Sequence, residues 1–558
     1  MNHLTRGLLL GLALALGAYA QAPARIEVAM APGLSAAALN GRVDLFISKR
    51  GTRAAGALGP APTDDPAREP RFQISDQVNT QQMFARNVEQ FGPGVTVTFD
   101  AGVLGYPAPS LADLPAGDYY FQALLNVYTT FHRADGHVVQ LPMDEGEGQQ
   151  YNRKPGNLYS RVQRLHFDPR GGVIRLELTE KIPPIPPPPD TEWIKHLRIQ
   201  SRLLSQFWGR PMYLGATVIL PEGFATHPNA RYPLMVQEGH FAYDLAGKFR
   251  RRGPGSFFDD WTTGKLPKMI LMDIQHANPY YDDSYAVNSA NLGPYGDAIT
   301  QELIPAVEKQ FRGIGQGWAR VTYGGSTGGW ESVAQQIFYP DFYNGTWTFC
   351  PDPIDFRAYQ IVNIYNDANA NWLIGPWSNV DRPSVRRPDG TVITTMVREN
   401  RRELVLGDHG RSADQYNVWQ AVFSPVGPDG YPEEIWDPIT GVINHGVAQY
   451  WQEHYDLRAW LQSHWATLAP KLDGKIHIWV GDEDTYYLDN AVYLFQAMVE
   501  QQSDPKITAD FTYGRKQPHC YAGDLHGQTP EQAYMPAMAA RILATAPAGA
   551  DMSWRYDR

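Results

Sequence analysis

Residues 321–331 read Val321-Thr322-Tyr323-Gly324-Gly325-Ser326-Thr327-Gly328-Gly329-Trp330-Glu331. The β-branched and aromatic residues at the start predict a short strand, and the pattern from Trp330 to Phe338 predicts a helix. Glycine two positions before and two positions after Ser326 indicates a bend that is too tight for side chains at those positions. The stretch therefore predicts a strand that turns sharply into a helix, with Ser326 at the turn.

A serine in this setting is typical of a nucleophile elbow, in which Gly-x-Ser-x-Gly joins a strand to a helix. The sharp turn lifts the hydroxyl above the edge of the sheet, and the helix N-terminus favours a developing negative charge. The alternative is a glycine-rich turn that contains a serine by chance, since the chain has 51 glycines. The strand before the turn and the helix after it favour Ser326 as a nucleophile.

Short apolar strands and helical segments alternate on both sides of this turn. Such alternation favours a buried, mostly parallel sheet with helices on both faces, and ligands of these sheets bind at the carboxyl ends of the strands. The predicted strands are Leu214–Leu220, Leu234–Gln237, Met269–Asp273, Val321–Tyr323, Thr346–Phe349, Ile476–Val480 and Phe511–Tyr513. The predicted helices are Asp297–Phe311, Trp330–Phe338, Asn490–Gln502 and Pro530–Ala544.

A serine nucleophile needs a general base, and the base needs a carboxylate that orients it. In α/β-hydrolases the three residues follow the chain order Ser, Asp or Glu, His. Asp484 comes shortly after the strand Ile476–Val480, where the chain has turned off the strand. We predict Asp484 as the carboxylate, with Asp482 and Glu483 as close alternatives and Asp352 as a more distant one.

The predicted base is a histidine on the loop after the last strand. His519 follows Pro518 on this loop, and the segment between Asp484 and His519 has room for one helix and one strand. His526 lies on the same loop and is the alternative. We predict His519 as the base.

Two N–H groups are expected to bind the oxyanion of a tetrahedral intermediate. One is that of Thr327, directly after the nucleophile. The other comes from the loop after the third strand, which reads Glu238-Gly239-His240-Phe241. We assign it to His240, with Phe241 as the alternative, although the usual His-Gly order is reversed here.

Motifs upstream of the elbow complete a resemblance to a known family. They are Tyr281-Asp282-Asp283-Ser284-Tyr285-Ala286-Val287-Asn288-Ser289, Gly293-Pro294-Tyr295-Gly296-Asp297, Glu302-Leu303-Ile304-Pro305 and Val307-Glu308-Lys309-Gln310-Phe311-Arg312. Over residues 205–350 and 470–545 the chain resembles the α/β-hydrolase esterases related to esterase D, enterochelin esterase and feruloyl esterase. The resemblance implies a serine hydrolase that needs no cofactor and acts on carboxylic esters. The sequence has no HExxH and no clustered Cys/His pattern, so we expect no catalytic metal.

Cys350 and Cys520 are the only cysteines of the chain, and the predicted fold places both at the same rim of the sheet. Secreted tannases and feruloyl esterases use a similar disulfide, with one cysteine directly before the serine and one after the histidine. Here Gly325 precedes Ser326, so only the second half of that pattern is matched. We predict a Cys350–Cys520 disulfide, with two separate buried thiols as the alternative.

Residues 1–20 have the pattern of a cleaved secretory signal, with an apolar run over residues 7–17 followed by Ala18-Tyr19-Ala20. The run is too short to span a bilayer, which needs about 20 apolar residues. We therefore expect a secreted or periplasmic protein without a membrane span. The formal net charge of -11 argues against a nucleic-acid binder. A small-molecule or polysaccharide-linked ester is the expected partner, and the oligomeric state is left open.

Residues 21–180 are predicted to form an all-β domain, resembling the immunoglobulin-like sandwiches that accompany secreted enzymes. A proline-rich run over 181–190 predicts a stiff linker, so the α/β-hydrolase domain is placed at 191–558. The strands predicted before the linker are Arg25–Met30, Gly41–Ser48, Val95–Phe99, Gly117–Val127 and Val173–Leu178.

A long insertion at about 351–472 separates two consecutive strands of the α/β part and is rich in aromatic residues. An excursion at the catalytic rim usually forms a cap over the pocket. Its aromatic residues either line an acyl or sugar site or pack the insertion's own core.

The leading hypothesis is an exported serine esterase that works through an acyl-enzyme. One alternative is a serine peptidase of the prolyl-oligopeptidase kind, against which no propeller repeat is seen in residues 1–180. The other is a catalytically inactive binding protein of the same fold.

Overall fold

The computed structural model describes residues 23–49, 69–75, 77–148, 150–240, 249 and 253–556. The predicted signal segment and Phe241 lie outside these ranges. Among the described residues, no helix combines the length and the apolar character that crossing a bilayer requires.

The amino-terminal part of the chain folds into β-strands. Within the described residues, its strands are β1 (Arg25–Met30), β2 (Leu39–Ser48), β3 (Gln82–Phe91), β4 (Thr96–Phe99), β5 (Gly105–Tyr106), β6 (Gly117–Val127), β7 (Thr129–His132), β8 (Val138–Leu141), β9 (Leu158–Ser160), β10 (Gln163–Phe167) and β11 (Val173–Lys181). All of them except the hairpin β7–β8 belong to one sheet of the order β4-β1-β11-β9-β6-β2-β3-β5, with β10 added beside β6.

The strands of this first sheet share one large apolar core. Buried side chains from strands far apart in the sheet, such as Val28 of β1 and Leu45 of β2, belong to the same cluster. The β content of this region is therefore as expected. The strands are hydrogen-bonded into one sheet, and the division into two facing sheets of an immunoglobulin-like sandwich stays a prediction.

The second part of the chain alternates strands with helices. Its strands are β12 (Ile194–Ser201), β13 (Met212–Ile219), β14 (Leu234–Gln237), β15 (Ile270–Gln275), β16 (Asn288–Ser289), β17 (Gly293–Pro294), β18 (Arg320–Gly325), β19 (Thr346–Phe349), β20 (Trp372–Ile374), β21 (Asn379–Asp381), β22 (Pro383–Arg386), β23 (Val392–Thr395), β24 (Ile476–Gly481) and β25 (Ala509–Gly514). Its α-helices within the described residues are α1 (Arg202–Trp208), α2 (Phe257–Thr262), α3 (Tyr295–Ala298), α4 (Ile304–Gln310), α5 (Thr327–Phe338), α6 (Met396–Leu406), α7 (Gln415–Phe423), α8 (His445–His454), α9 (Leu457–Ser463), α10 (Trp465–Leu472), α11 (Asp489–Gln501) and α12 (Pro530–Thr545).

The second sheet has the order β12-β13-β15-β14-β18-β19-β24-β25. Strands β14, β15, β18, β19, β24 and β25 run parallel, and β12 and β13 pair antiparallel at one edge. Since the parallel strands all end at the same edge, the loops after β14, β18, β19, β24 and β25 meet there. This edge carries the candidate site.

The insertion between β19 and β24 contains two short hairpins, β20–β21 and β22–β23, and helices α6 to α10. Its helix α6 packs against the first sheet, where Val405 and Leu406 share an apolar cluster with Phe46 and Met83. The guanidinium of Arg42 crosses this contact and donates to the carbonyl oxygen of Val405 from Nε at 3.0 Å and Nη2 at 2.9 Å. The first sheet therefore holds the insertion helix in place.

Replacing Arg42 with methionine is expected to destabilise the protein by about 2–4 kcal/mol, because the buried carbonyl of Val405 loses charge-assisted hydrogen bonds. The measurement is the urea midpoint followed by tryptophan fluorescence. Arg25→Met is the matched control on the same sheet: its ion pair with Glu27 is exposed, so we expect a change below about 0.5 kcal/mol. Equal urea midpoints for Arg42→Met and Arg25→Met would contradict the stabilising role of the contact between Arg42 and Val405.

Candidate active site

Ser326 lies at the junction of β18 and α5 with φ 58° and ψ −122°, a strained conformation for a residue with a side chain. Glycine is required on both sides of it. A Cβ on Gly324 would overlap the carbonyl of Gly328, and a Cβ on Gly328 would overlap the carbonyl of Glu238 after β14. The turn predicted from the sequence is thus enforced by close backbone approaches.

Three side chains from three different loops form a continuous series of hydrogen bonds at this edge. Nε2 of His519 lies 2.9 Å from Oγ of Ser326, and Nδ1 of His519 lies 2.8 Å from Oδ2 of Asp484. The other carboxylate oxygen of Asp484 accepts hydrogen bonds from the backbone N–H groups of Tyr486 and Leu488 at 2.8 and 3.3 Å. The buried carboxylate is therefore fixed in orientation and holds the imidazole toward Ser326.

The alternatives from the sequence occupy other places. Asp482 accepts a hydrogen bond from the backbone of Lys516, and Glu483 forms an ion pair with Arg386 at 3.0 Å. His526 is 81% exposed and lies 3.3 Å from Asp524 on the surface. The geometry therefore brings together Ser326, His519 and Asp484 and leaves these acids and His526 outside the series.

Asp352 lies next to Ser326, and its backbone N–H donates to the carbonyl oxygen of Ser326 at 3.1 Å. Its Oδ2 accepts hydrogen bonds from the hydroxyl groups of Tyr285 at 2.7 Å and Thr327 at 3.1 Å. Burial raises the pKa of Asp352 to about 6, although both hydroxyl groups act in the opposite direction. Gln415 of the insertion donates to the Tyr285 hydroxyl, so this network ties the first residue of α5 to the insertion. Tyr285 and Gln415 carry no motif that points to this role.

The charge state of His519 is set by its neighbours. Burial lowers the pKa of His519, but the carboxylate of Asp484 and the sulfur of Cys520 stabilise the imidazolium and raise the pKa to about 10. Below a pH of about 10, the imidazole of His519 therefore keeps a proton that it has received. Above that pKa it is neutral and can accept one.

The two predicted oxyanion donors both lie at the site. Thr327 is the first residue of α5, where backbone N–H groups have no partner within the helix. His240 lines the same cavity as Ser326. Its Nδ1 lies 2.6 Å from Asp283, and although burial lowers the pKa of His240, the carboxylates of Asp282 and Asp283 raise it well above the usual range.

A cavity of about 280 Å³ opens above Ser326 and His519. The insertion supplies much of its wall, from helix α6, the start of α7 and strand β22. The lining residues from this wall include Ser384, Val385, Glu399, Arg402, Glu403, Asp414, Gln415, Tyr416 and Trp419. The sequence predicts the insertion but not which of its residues line the cavity, because these residues lie in no recognisable motif.

The wall is polar, and its charges are arranged around Arg402. The guanidinium lies 2.8 Å from the carboxylate of Glu399 and 2.8 Å from that of Asp414. Glu403 accepts backbone hydrogen bonds from Tyr416 and Asn417 at the start of α7. The charges facing the cavity are therefore held in place before a substrate binds.

The aromatic residues of the insertion divide between the two expected roles. Tyr416 and Trp419 line the cavity. Trp436 and Trp451 are buried and pack around the ring of Tyr359, with ring centroids 5.6 and 5.5 Å away. Most of the insertion's aromatic rings thus build its own core.

Cys350 and Cys520 come together beside His519, but both are free thiols in this structure. Their sulfur atoms lie 2.8 Å apart. The predicted disulfide is therefore not formed here, although the two cysteines are adjacent. The pairing remains a prediction for the oxidised protein.

No protein-family model and no curated protein matches this sequence. Solved structures that the chain resembles include a ferulic acid esterase, with 16% identity, a TM-score of 0.33 and coverage of 63% of this chain and 98% of that one. The S-formylglutathione hydrolase of Agrobacterium tumefaciens has 10% identity and a TM-score of 0.32 over 62% of this chain and 94% of its own. FphF of Staphylococcus aureus, a fluorophosphonate-binding serine hydrolase, has 16% identity and a TM-score of 0.33 over 62% and 98%.

These neighbours are esterases and serine hydrolases, the same kinds of protein that the sequence resemblance names. At these identities and TM-scores the likeness carries no argument about activity. Support for a function therefore comes from the geometry of the site.

The cysteine pair can be tested directly in protein exported to an oxidising compartment. We expect peptide mapping without reductant to yield a Cys350–Cys520 linked peptide, because the sulfur atoms are already adjacent. After reduction, Cys520 should react with iodoacetamide before Cys350, since Cys520 is exposed and Cys350 is buried. Quantitative alkylation of both thiols without reductant would contradict the predicted bridge.

Proposed function

We propose that this protein is a serine hydrolase that cleaves carboxylic esters through an acyl-enzyme. The observation that carries the proposal is the series of hydrogen bonds from Asp484 through His519 to Ser326, at 2.8 and 2.9 Å. Geometry of this kind activates a serine hydroxyl that is unreactive by itself.

In the first half of the reaction, Oγ of Ser326 attacks the ester carbonyl and Nε2 of His519 takes its proton. Asp484 stabilises the imidazolium and keeps the ring in place. The backbone N–H groups of Thr327 and His240 bind the oxyanion. His519 then gives its proton to the leaving alcohol, and the acyl group stays on Ser326.

In the second half, a water molecule takes the place of the alcohol. His519 removes a proton from the water as it attacks the acyl carbonyl, and the collapse of the second tetrahedral intermediate returns the proton to Ser326. The acid leaves, and the enzyme is restored. Apart from the water and the substrate, each step uses the side chains of Ser326, His519 and Asp484 and the two backbone N–H groups.

The polar wall of the cavity supports small or hydroxyl-bearing esters as substrates. Arg402, Glu399 and Asp414 would lose contact with water, without gaining hydrogen bonds, if a long aliphatic chain filled the cavity. Such burial of polar groups costs free energy. Short acyl groups and phenolic acyl groups therefore fit the site better than long-chain fatty acyl groups.

We also propose that the chain is exported after removal of residues 1–20, and that residues 21–180 and 191–558 are separate domains joined by 181–190. The contact of Arg42 with the carbonyl of Val405 gives the first domain a role: it supports helix α6, which forms part of the cavity wall. The first domain is thus expected to stabilise the pocket rather than to bind a second ligand.

A fluorophosphonate probe is expected to label the wild-type protein on one serine, and Ser326→Ala is expected to abolish the labelling because no other described serine is bonded to the imidazole of His519. Ser384→Ala is the matched control, since Ser384 lines the same cavity and should leave labelling intact. Unchanged labelling of Ser326→Ala would contradict the proposed nucleophile, and unlabelled wild-type protein would favour an inactive binding protein.

The class of substrate is tested by measuring hydrolysis rates with the same purified protein. We expect hydrolysis of nitrophenyl acetate and feruloyl esters, weak hydrolysis of nitrophenyl laurate, and none of peptide anilides. Cleavage of peptide anilides in preference to esters would assign a peptidase instead.

The rate of ester hydrolysis is expected to rise with pH because only the neutral form of His519 accepts the serine proton. In reduced protein kcat/KM should increase toward a plateau with an apparent pKa of about 10. Cys520→Ser removes the sulfur that stabilises the imidazolium, so this midpoint should move to lower pH. His526→Gln, on the exposed surface of the same loop, is the control and should leave the profile unchanged. A midpoint that does not move in Cys520→Ser would show that the sulfur does not set the pKa of His519.

A further inference from the structure

Below the candidate active site, two histidines and four carboxylates meet in the interior. They come from the loop after β14, the loop after β15 and helix α5, and they are Glu238, His240, His276, Asp282, Asp283 and Glu331. All except His240 are buried. The proposed hydrolysis mechanism uses the backbone of His240 and none of the other five residues.

Three of these residues form a compact set of potential ligands. The nearest nitrogen of His276 and one carboxylate oxygen each of Asp283 and Glu331 all lie within 4.8 Å of one another. Atoms bound to one cation at about 2.0–2.2 Å lie at most about 4.4 Å apart, so small side-chain movements would bring all three atoms to one ion. Nδ1 of His276 lies 3.0 Å from the hydroxyl of Ser284 and 3.3 Å from its backbone N–H, and Nε2 lies 3.3 Å from the carbonyl oxygen of Gly239. When a cation binds Nε2, the ring carries its proton on Nδ1 and donates it to the hydroxyl of Ser284.

A second observation points to a bound cation. The carboxylate oxygens of Glu331 and Glu238 accept no hydrogen bond from an N–H or hydroxyl group, although the two side chains are 0% and 2% exposed, and the side chain of Glu331 contacts the carboxylate of Asp283 instead. Within the described residues, no lysine or arginine forms an ion pair with any of the four carboxylates. Buried carboxylates are normally paired, hydrogen-bonded or bound to metals. A divalent cation between Glu331 and Asp283 would take the place of the proton that two carboxylates in contact otherwise share.

We propose that His276, Asp283 and Glu331 bind one divalent transition-metal cation of the Zn²⁺ or Mn²⁺ kind. An imidazole beside two carboxylates favours these ions over Ca²⁺, which prefers oxygen ligands alone. Glu238 lies next to the set and is a candidate fourth ligand. His240 lies 2.6 Å from Asp283 and also lines the cavity above Ser326, so it connects the buried set to that cavity.

The role of the cation is structural. It links the loop after β15, which carries His276 and Asp283, to helix α5, which carries Glu331 and begins directly after Ser326. The ion pair of His240 with Asp283, at 2.6 Å, extends the connection to the loop that holds His240. The bound ion would thus fix the oxyanion loop relative to the nucleophile without touching the substrate.

The test is the metal content of the full-length protein, purified without an affinity tag that binds metals. Elemental mass spectrometry should find about one equivalent of Zn²⁺ or Mn²⁺ per chain, and Glu331→Gln should lose at least about nine-tenths of it. Glu531→Gln is the matched control, because Glu531 is also buried but pairs with the Tyr323 hydroxyl away from this set. It should retain the metal of the wild type.

A second measurement keeps the proposal testable if Glu331→Gln does not fold. Wild-type protein is stripped with dipicolinate, and its thermal midpoint is measured with and without Zn²⁺, Mn²⁺ or Ca²⁺. Zn²⁺ or Mn²⁺ at about 100 times its Kd should raise the midpoint by about 2–3 °C. Substoichiometric metal together with no shift would overturn the proposal, and a shift with Ca²⁺ alone would exclude ligation by His276. Neither readout depends on hydrolytic activity, so both are separate from the test of the proposed function.

Discussion

The geometry of the site depends on one backbone constraint, the turn from β18 into α5. The carbonyl groups of Gly328 and Glu238 approach this turn so closely that only glycine fits at positions 324 and 328. Ser326 is therefore held at φ 58°, with its hydroxyl projecting from the carboxyl edge of the sheet. Because β14, β19, β24 and β25 end at the same edge, each of their loops can bring a side chain to that hydroxyl. The strained backbone of Ser326 therefore depends on the positions of the residues that surround the turn.

The cavity above this edge is built by parts of the chain that lie outside the sheet. Helices α6 and α7 of the insertion supply Arg402, Gln415 and Trp419, and the first sheet holds α6 through Arg42. A contact far from the nucleophile therefore helps to fix the shape of the pocket. The sheet edge thus carries Ser326, His519 and Asp484, while the insertion forms much of the cavity wall above them.

Local patterns were enough to predict the elements around the site. The strands β14 and β19 have the predicted bounds, and helix α12 differs from its prediction by one residue at its end. These segments are apolar and short, or begin with a capping box, so neighbouring residues alone decide their conformation. The positions of Asp484 and His519 followed from the ends of strands, which is why their placement at one edge could be inferred.

Elements whose stability comes from distant partners were harder to predict. Strand β3 was missed because its second half is exposed and polar, with Asn87 and Glu89 among its residues. The predicted helix 297–311 is interrupted by a π-helical segment, Ile299–Leu303, with Pro305 near the junction. The residues of the cavity wall and the buried histidines and carboxylates around Glu331 were also not predicted. They are far apart in sequence, and only tertiary packing brings them together.

The most direct test of the account is to trap the acyl-enzyme itself. Wild-type protein is mixed rapidly with a nitrophenyl ester, quenched in acid and analysed by intact-mass and peptide mass spectrometry. The account predicts a burst of about one equivalent of nitrophenol and an added acyl group on the peptide that contains Ser326. Ester hydrolysis with no acyl group on Ser326, or with the acyl group on another residue, would contradict it.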